Sequence, residues 1–250
     1  MIFYEVGGSV RDSLMGRRSS DTDMTAVVEA SDWGVHFMDP ESDHPFELLL
    51  RDLDLRGFKV VTTKPEFVTV KAVAPPGYEF AGRLVRGAVD FVLARREGPS
   101  GDRRHPDWVA PGTLSDDLRR RDFTVNAIAR DSSGVLIDEH GGVKDIGNRL
   151  IRCVGDPRLK FSEDRLRILR ALRFSVTHSM GISPDVGQAI DEVMLRGDPL
   201  RGVSTERVQE ELLKMAEFDS VAMVRTLMKY NLLSHLFTAR LWLKPTTEAK

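Results

Sequence analysis

The sequence predicts an α/β sheet domain followed by an all-helical part, with the change near Arg152. Two observations carry this. Residues 1–95 alternate strand-like runs rich in Val, Phe and Thr with a helical interlude, and beyond Pro157 the apolar residues recur at helical spacing. A chain of 250 residues has room for two domains, placed here at 1–152 and 153–250.

The strands follow in order as "IFYEV", "TDMTAVVEA", "FKVVTT", "FVTVKAVA" and "AVDFVLARR". Between the second and third lies "HPFELLLRDLDLRG", a helix ending at Gly57. Residues 96–116 form a long loop dense in Gly, Pro, Asp and Arg, a length usual for functional or mobile segments. From Asp116 the pattern is helical through "DDLRRRDFTVNAIA", and "DEHGGVKDIGNRLI" is a turn-rich connector. In the second part, "SEDRLRILRALRFSVTHS" begins at a Ser162 N-cap and "STERVQEELLKMAE" at Ser204.

Composition narrows the function. The 41% hydrophobic and 30% charged content is that of a soluble globular protein, with no apolar run long enough to cross a bilayer. The N-terminus has no signal-peptide pattern, so a cytoplasmic location is expected. Cys153 is the single cysteine, which excludes an internal disulfide and directs any metal to oxygen ligands. Residues 153–250 carry 15 Lys and Arg against 13 Asp and Glu, a net of +2 within a chain of net −2. A faintly basic second part beside an acidic first part suits an RNA-facing helical region and a metal-binding sheet.

The opening stretch "VGGSVRDSLMG" fits neither the dinucleotide nor the Walker glycine spacing. Gly7 and Gly8 can make a tight strand-to-helix turn or bring backbone N–H groups to a triphosphate. Asp21 and Asp23 flank Thr22, so on a strand both carboxylates share one face. Such a pair is either solvated or neutralised by a hard cation such as Mg²⁺. Asp90, inside the apolar "AVDFVLA", either faces outward or belongs to the same site. Together these acids and the glycine turn suggest two-metal nucleotidyl transfer.

With these residues in view, the chain resembles the class II tRNA nucleotidyltransferase (CCA-adding enzyme) and bacterial poly(A) polymerase family of the polymerase-beta superfamily. The resemblance rests on "VGGSVRDSLMG" with "DTD" at 21–23, "DDLRRRDFTVNAIA", "DEHGGVKDIGNRLIRCVGDP", "FSEDRLRILRALRF" and "STERVQEELLKM", in the family's order over about residues 1–235. It implies a polymerase-beta-like head of sheet and helices, then a helical neck and a partial body. It implies template-independent addition of CMP and AMP to a tRNA 3′ end from CTP and ATP, with two Mg²⁺ ions, or Mn²⁺ in their place.

Residue by residue, the resemblance assigns Gly7, Gly8 and Arg11 to the triphosphate and Asp21 and Asp23 to the metals. Asp90 would orient or deprotonate the primer hydroxyl. Arg121 would meet phosphate, Asp122 the ribose hydroxyls, and Asn126 would brace the site. On a helix over 163–174, Glu163, Arg167 and Arg170 share one face, with Asp164 and Arg173 at its edges. That arrangement is either a set of surface ion pairs or a nucleotide-binding helix. In the family reading Asp164 and Arg167 select the base, Glu163 orients Arg167, and Arg170 and Arg173 reach base or phosphates. In the 96–116 loop, Arg103, Arg104, His105 and Trp108 either contact the primer or pack on the head. A partial activity (A-adding, CC-adding or poly(A) synthesis on another RNA) and a binding protein without catalysis stand as alternatives. The oligomeric state is left open.

Overall fold

The computed structural model describes residues 1–17, 19, 22–28, 45–97, 109–197 and 199–239. The chain divides into two compact units, Met1–Asn148 and Arg149–Lys250. Asp21, Arg103, Arg104, His105 and Trp108 lie outside the described residues.

In the first unit, β1 (Ile2–Val6) turns through Gly7 into α1 (Gly8–Leu14), followed by β2 (Thr22–Val27) and α2 (Pro45–Leu55). Then come β3 (Lys59–Lys64), β4 (Thr69–Val73), the short pair β5 (Glu79–Phe80) and β6 (Arg83–Leu84), and β7 (Ala88–Leu93). The unit closes with β8 (Arg95–Glu97), β9 (Val109–Pro111), α3 (Leu114–Arg120), a 3₁₀ turn at Thr124–Asn126, β10 (Ala129–Arg130), β11 (Leu136–Ile137) and α4 (Gly142–Gly147). Seven strands form one sheet in the order β11-β10-β1-β2-β7-β4-β3. Among the described residues of this sheet, only the β2–β7 pair is parallel.

Alternation along the strands decides which face is packed. Val89, Phe91 and Leu93 of β7 are buried with Met24 and Ala26 of β2, Val70 and Ala72 of β4, and Phe3 of β1. Phe46, Leu49 and Leu53 of α2 cover this face, and Phe58 meets Phe91 edge to face at 5.2 Å. The intervening residues, among them Asp23 and Asp90, are on the opposite face. That placement is what the alternation of β7 requires of an acid inside an apolar strand.

Three local expectations are corrected. The helix expected through Ala129 ends at Arg120, where Arg121 turns extended, and the chain proceeds into the 3₁₀ turn and β10. Every residue from Asp122 to Arg130 is buried, so both periods are erased from the sequence pattern. The 96–116 loop is framed by the β8–β9 pair and ends in α3, whose Thr113 and Asp116 form a reciprocal capping box. The sheet also gains β10 and β11, two-residue strands too short to show alternation.

The second unit holds β12 (Leu150–Ile151), paired in parallel with β13 (Gly181–Ile182), and α5 (Pro157–Glu163), α6 (Leu166–Thr177), α7 (Pro184–Leu195), α8 (Thr205–Lys229) and α9 (Leu232–Ala239). The helical expectation thus misses one small parallel pair. The helix expected over 163–174 is two helices: α5 ends at Glu163, Asp164 is extended, and α6 starts at Leu166. Ser162 is inside α5, with its hydroxyl donating to the Leu159 carbonyl at 2.8 Å, and is not an N-cap. Ser204 does hold the N-cap position of α8, without a side-chain hydrogen bond. At Asp219 the backbone of α8 leaves helical geometry, and the Asp219 carboxylate accepts from the Ala222 N–H at 2.8 Å, restarting the helix. Among the described residues, no helix is long and apolar enough to cross a membrane.

Among the described glycines, Gly142 has the least room for a side chain. A Cβ there would stand 2.1 Å from the Thr124 carbonyl oxygen and 2.7 Å from the Ile128 side chain. Gly142→Ala is therefore expected to lower stability by about 3 kcal/mol, because neither the backbone carbonyl nor the buried Ile128 has room to move. A urea midpoint within error of wild type would contradict this.

Candidate active site

The head-side constellation begins where β1 meets β2. Val6 pairs with Asp23, so the turn after β1 is beside the Asp23 carboxylate. Gly7 takes φ 73° and ψ −132°, a region open in practice only to glycine. A Cβ on Gly7 would be 2.9 Å from Arg121 Nη1 and 3.5 Å from Asp23 Oδ2. The backbone of Gly7, the Asp23 carboxylate and the Arg121 guanidinium therefore converge on one small volume. Asp90 stands directly opposite Asp23 across the parallel β2–β7 pair, and Lys71 Nζ lies 3.3 Å from its Oδ2.

A second set of contacts fixes the cations. Arg11, buried on α1, donates to Asn126 Oδ1 at 2.6 Å and to Asp12 Oδ1 at 2.8 Å. Asn126 in turn donates from Nδ2 to Asp122 Oδ1 at 3.1 Å, and the same oxygen accepts from the Phe123 N–H at 2.8 Å. The amide of Asn126 thus links a cation on one side to an anion on the other. Gly8 is adjacent, with its missing Cβ position 3.6 Å from Arg11 Nη2.

Arg121 is held from below by Asp117, a residue the sequence reading did not single out. Asp117 is fully buried; its carboxylate accepts from Thr25 Oγ1 at 3.0 Å, from Arg121 at 2.8 and 3.1 Å, and from Arg120 Nε at 2.9 Å. Burial alone would raise its pKa, but the guanidinium groups of Arg121 and Arg120 outweigh that and lower it to about 2. Arg120 is accordingly a structural partner of Asp117, whereas Arg119 is exposed. An acid on the first turn of a capped helix looks like an N-terminal dipole partner, which is why its burial escaped notice.

The second unit carries the other candidate residues. Asp164 is between α5 and α6, and its Oδ1 accepts from the Leu166 N–H at 3.0 Å, capping α6. Its Oδ2 accepts from Arg207 Nη2 at 2.7 Å. Each oxygen retains a further lone pair. Arg167 is bound by the Glu163 carboxylate and donates to the Lys160 carbonyl at 3.0 Å. Arg170 and Arg173 both turn to Glu211 of α8: Arg173 Nε bonds Oε2, and Arg170 Nη1 is 3.6 Å from Oε1. Arg173 also lies over the Phe174 ring at 4.1 Å.

Arg207 and Glu211 are the residues the sequence reading missed here. The signal for Glu211 was available, because Val208, Glu211 and Met215 recur at i, i+3 and i+7 and are buried. Glu211 is thus an acid on the apolar stripe of α8, at 4% exposure. A charge at such a position requires a buried partner.

The donor set can be tested for fit to a hard cation. Asp23 and Asp90 offer carboxylate oxygens from adjacent strands on one face, the donor type that Mg²⁺ prefers. Among the described residues no cluster of three or more metal-ligating side chains is found, and Asp21 is outside that search.

A mixed sheet bearing an acidic row beside a glycine turn is the head of the nucleotidyltransferase class. The chain belongs to the family of the Poly A polymerase head domain, which matches residues 3–152. It is 35% identical over 213 residues to a CCA-adding enzyme of Lactobacillus helveticus, covering 85% of this chain and 45% of that protein. It is 34% identical over 239 residues to a CCA-adding enzyme of Anoxybacillus flavithermus, covering 93% of this chain and 51% of that protein. The chain thus spans about half the length of these relatives. Among solved structures it is similar to the Bacillus stearothermophilus CCA-adding enzyme in complex with CTP, with TM-score 0.67, 29% identity, and 92% of this chain and 48% of that one covered. It is also similar to a tRNA nucleotidyltransferase complexed with a primer tRNA and an incoming ATP analog, with TM-score 0.70, 27% identity, and 96% and 60% covered.

Asp117 gives the head an acid-dependent stability. Its folded pKa is below its ordinary value of 3.8, so its contribution is complete above that value and is lost as pH falls toward 2. The shift corresponds to roughly 2 kcal/mol. Denaturation midpoints between pH 5 and pH 2, taken as about the window of this titration, should fall for wild type. The Asp117→Asn variant should start about 3 kcal/mol lower at neutral pH and show a flatter acid limb. Parallel acid limbs for the two proteins would refute the assignment.

Proposed function

We propose that this chain performs Mg²⁺-dependent, template-independent nucleotidyl transfer, adding CMP and AMP to the 3′ end of tRNA. The observation that carries the reading is the convergence of the Gly7 backbone, the Asp23 carboxylate and the Arg121 guanidinium, with Asp90 in register beside Asp23. A glycine turn, a cation and paired acids are the groups that in-line displacement at a nucleoside triphosphate needs. The enzymes it is similar to, solved with CTP, with an ATP analog and with primer tRNA, support the same substrates.

In this reading the primer 3′-oxygen bonds to the α-phosphorus of the incoming nucleotide, the bond to the β-phosphate bridge breaks, and pyrophosphate leaves. Asp90 orients the hydroxyl and accepts its proton. Arg121, braced by Asp117, and Arg11, braced by Asn126, meet the phosphates, with Gly7 and Gly8 giving the backbone close approach. Asp122, turned inward by the Asn126 amide, is assigned to the ribose hydroxyls. Mg²⁺, or Mn²⁺ in its place, would be held by Asp21 and Asp23 and would neutralise charge on the attacking and leaving oxygens.

Choice of nucleotide is assigned to the second unit. Cytosine and adenine both present an amine beside a ring-nitrogen acceptor, whereas uracil and guanine present a carbonyl beside an N–H. Asp164 would accept from the amine, and Arg167, steadied by Glu163, would donate to the ring nitrogen. Arg170 and Arg173 are assigned to base or phosphates. A cytoplasmic setting accords with tRNA as the substrate.

The test supplies tRNAs ending before the first C, before the second C and before A with each nucleoside triphosphate separately. Extension with CTP and ATP in the order C, C, A is expected. Extension confined to one nucleotide would instead assign a CC-adding, A-adding or poly(A) activity, and none at all would refute the proposal. Asp23→Asn should lower incorporation roughly a thousandfold. Asp164→Ala should cost about 1–3 kcal/mol of discrimination, raising UTP use relative to CTP by roughly 5- to 150-fold. Unchanged rejection of UTP would count against Asp164 as the selector.

A further inference from the structure

The face of the sheet that bears Asp23 and Asp90 continues onto two strands with a different charge. Residues paired across strands point to the same side, and every second residue returns to it. Asp23 pairs with Asp90, Asp90 with Lys71, and Lys71 with Thr62, which makes one row across β2, β7, β4 and β3. At a strand spacing of about 4.8 Å this row is about 14 Å long. Lys64 and Lys59 share the face, opposite Thr69 and Val73 of β4. β3 and β4, "KVVTTK" and "TVKAV", carry three lysines and no acid. Lys59 and Lys64 are exposed and, among the described residues, have no ion-pair partner, whereas Lys71 is paired with Asp90. The row is acidic at one end and basic at the other.

Lysines on an edge strand also serve to block pairing with another chain, and all six residues of β3 are exposed. That purpose does not extend to Lys71, which is one strand inside the edge, nor does it require the lysines to share a face with the acids. We propose that the β3–β4 face is a phosphate track, in which Lys71 and, on either side of its row, Lys64 and Lys59 receive phosphodiesters of an RNA strand whose 3′ end is at Asp90 and Asp23. This rests on the nucleotidyl-transfer reading for its polarity. Ammonium groups bind phosphate oxygens as point charges and read no bases, so the track is indifferent to sequence.

The test uses the whole chain with a fluorescein-labelled tRNA lacking its terminal CCA. Binding is followed by anisotropy across a salt series, and KM values for RNA and for CTP are measured in parallel. The Lys59→Gln/Lys64→Gln variant is expected to bind about tenfold more weakly, with a log–log salt slope shallower by about 1.4. The loss should fall on the KM for RNA and not on that for CTP. Lys59→Arg/Lys64→Arg should restore binding, because charge is the requirement. Unchanged affinity and slope in the Gln variant would overturn the track. So would a variant that self-associates, by light scattering, yet binds RNA as wild type does, since the lysines would then be edge guards only. Wild type that binds this RNA with lysine-dependent salt response but adds no nucleotide would sink the transfer reading and support the track. Wild type that does not bind the RNA would sink the track as well.

Discussion

The head depends on the carboxylate of Asp117. It is reached from the sheet by the Thr25 hydroxyl and from the end of α3 by Arg120 and Arg121, so it joins the helix to the strand that bears Asp23. A buried acid without those cations would cost several kcal/mol or take up a proton. The two arginines are therefore a condition of the fold. Arg121, once committed to Asp117, has its guanidinium fixed beside Gly7, where a free arginine would sample many rotamers and lose roughly 2 kcal/mol on becoming ordered. Folding thus settles in advance where a positive charge will stand.

The second unit repeats the device with different residues. Glu211, buried on α8, takes both Arg170 and Arg173, and Arg207 of the same helix takes Asp164. Arg170 and Arg173 of α6 are in this way positioned by α8, while Ile168, Leu169 and Leu172 fill the apolar side. An acid at an apolar position gives each arginine one preferred direction, which greasy packing alone would not.

How much of this was visible in the sequence follows from how local each feature is. The strands β1, β2, β3, β4 and β7 were legible, because each is long enough to alternate or to concentrate Val, Phe and Thr. Asp90 could be read either as outward-facing or as part of the site, and it stands on the face opposite the core. The stretch 121–130 was not legible, since it is covered on every side and its pattern carries neither period. The break at Asp164 was missed because "SEDRLRILRALRF" is helical in composition throughout, although Asp164 caps α6 through the Leu166 N–H and is also bound by Arg207. Asp117 was missed because its importance is in burial beside Thr25, 92 residues away, a separation that no local window spans.

The seating of β1 has a consequence for how the chain comes off the ribosome. Glu5 of β1 is buried against Arg130 of β10, 125 residues later, and β10 is the strand that covers the outer edge of β1. At the usual pace of translation that partner is made on the order of ten seconds after β1. During that interval β1 can pair with β2 on one side only, and Glu5 must remain in water. β1 is thus made before most of the head yet is among the last strands to be sealed, and the nascent head stays an open sheet until its closing strands are synthesised.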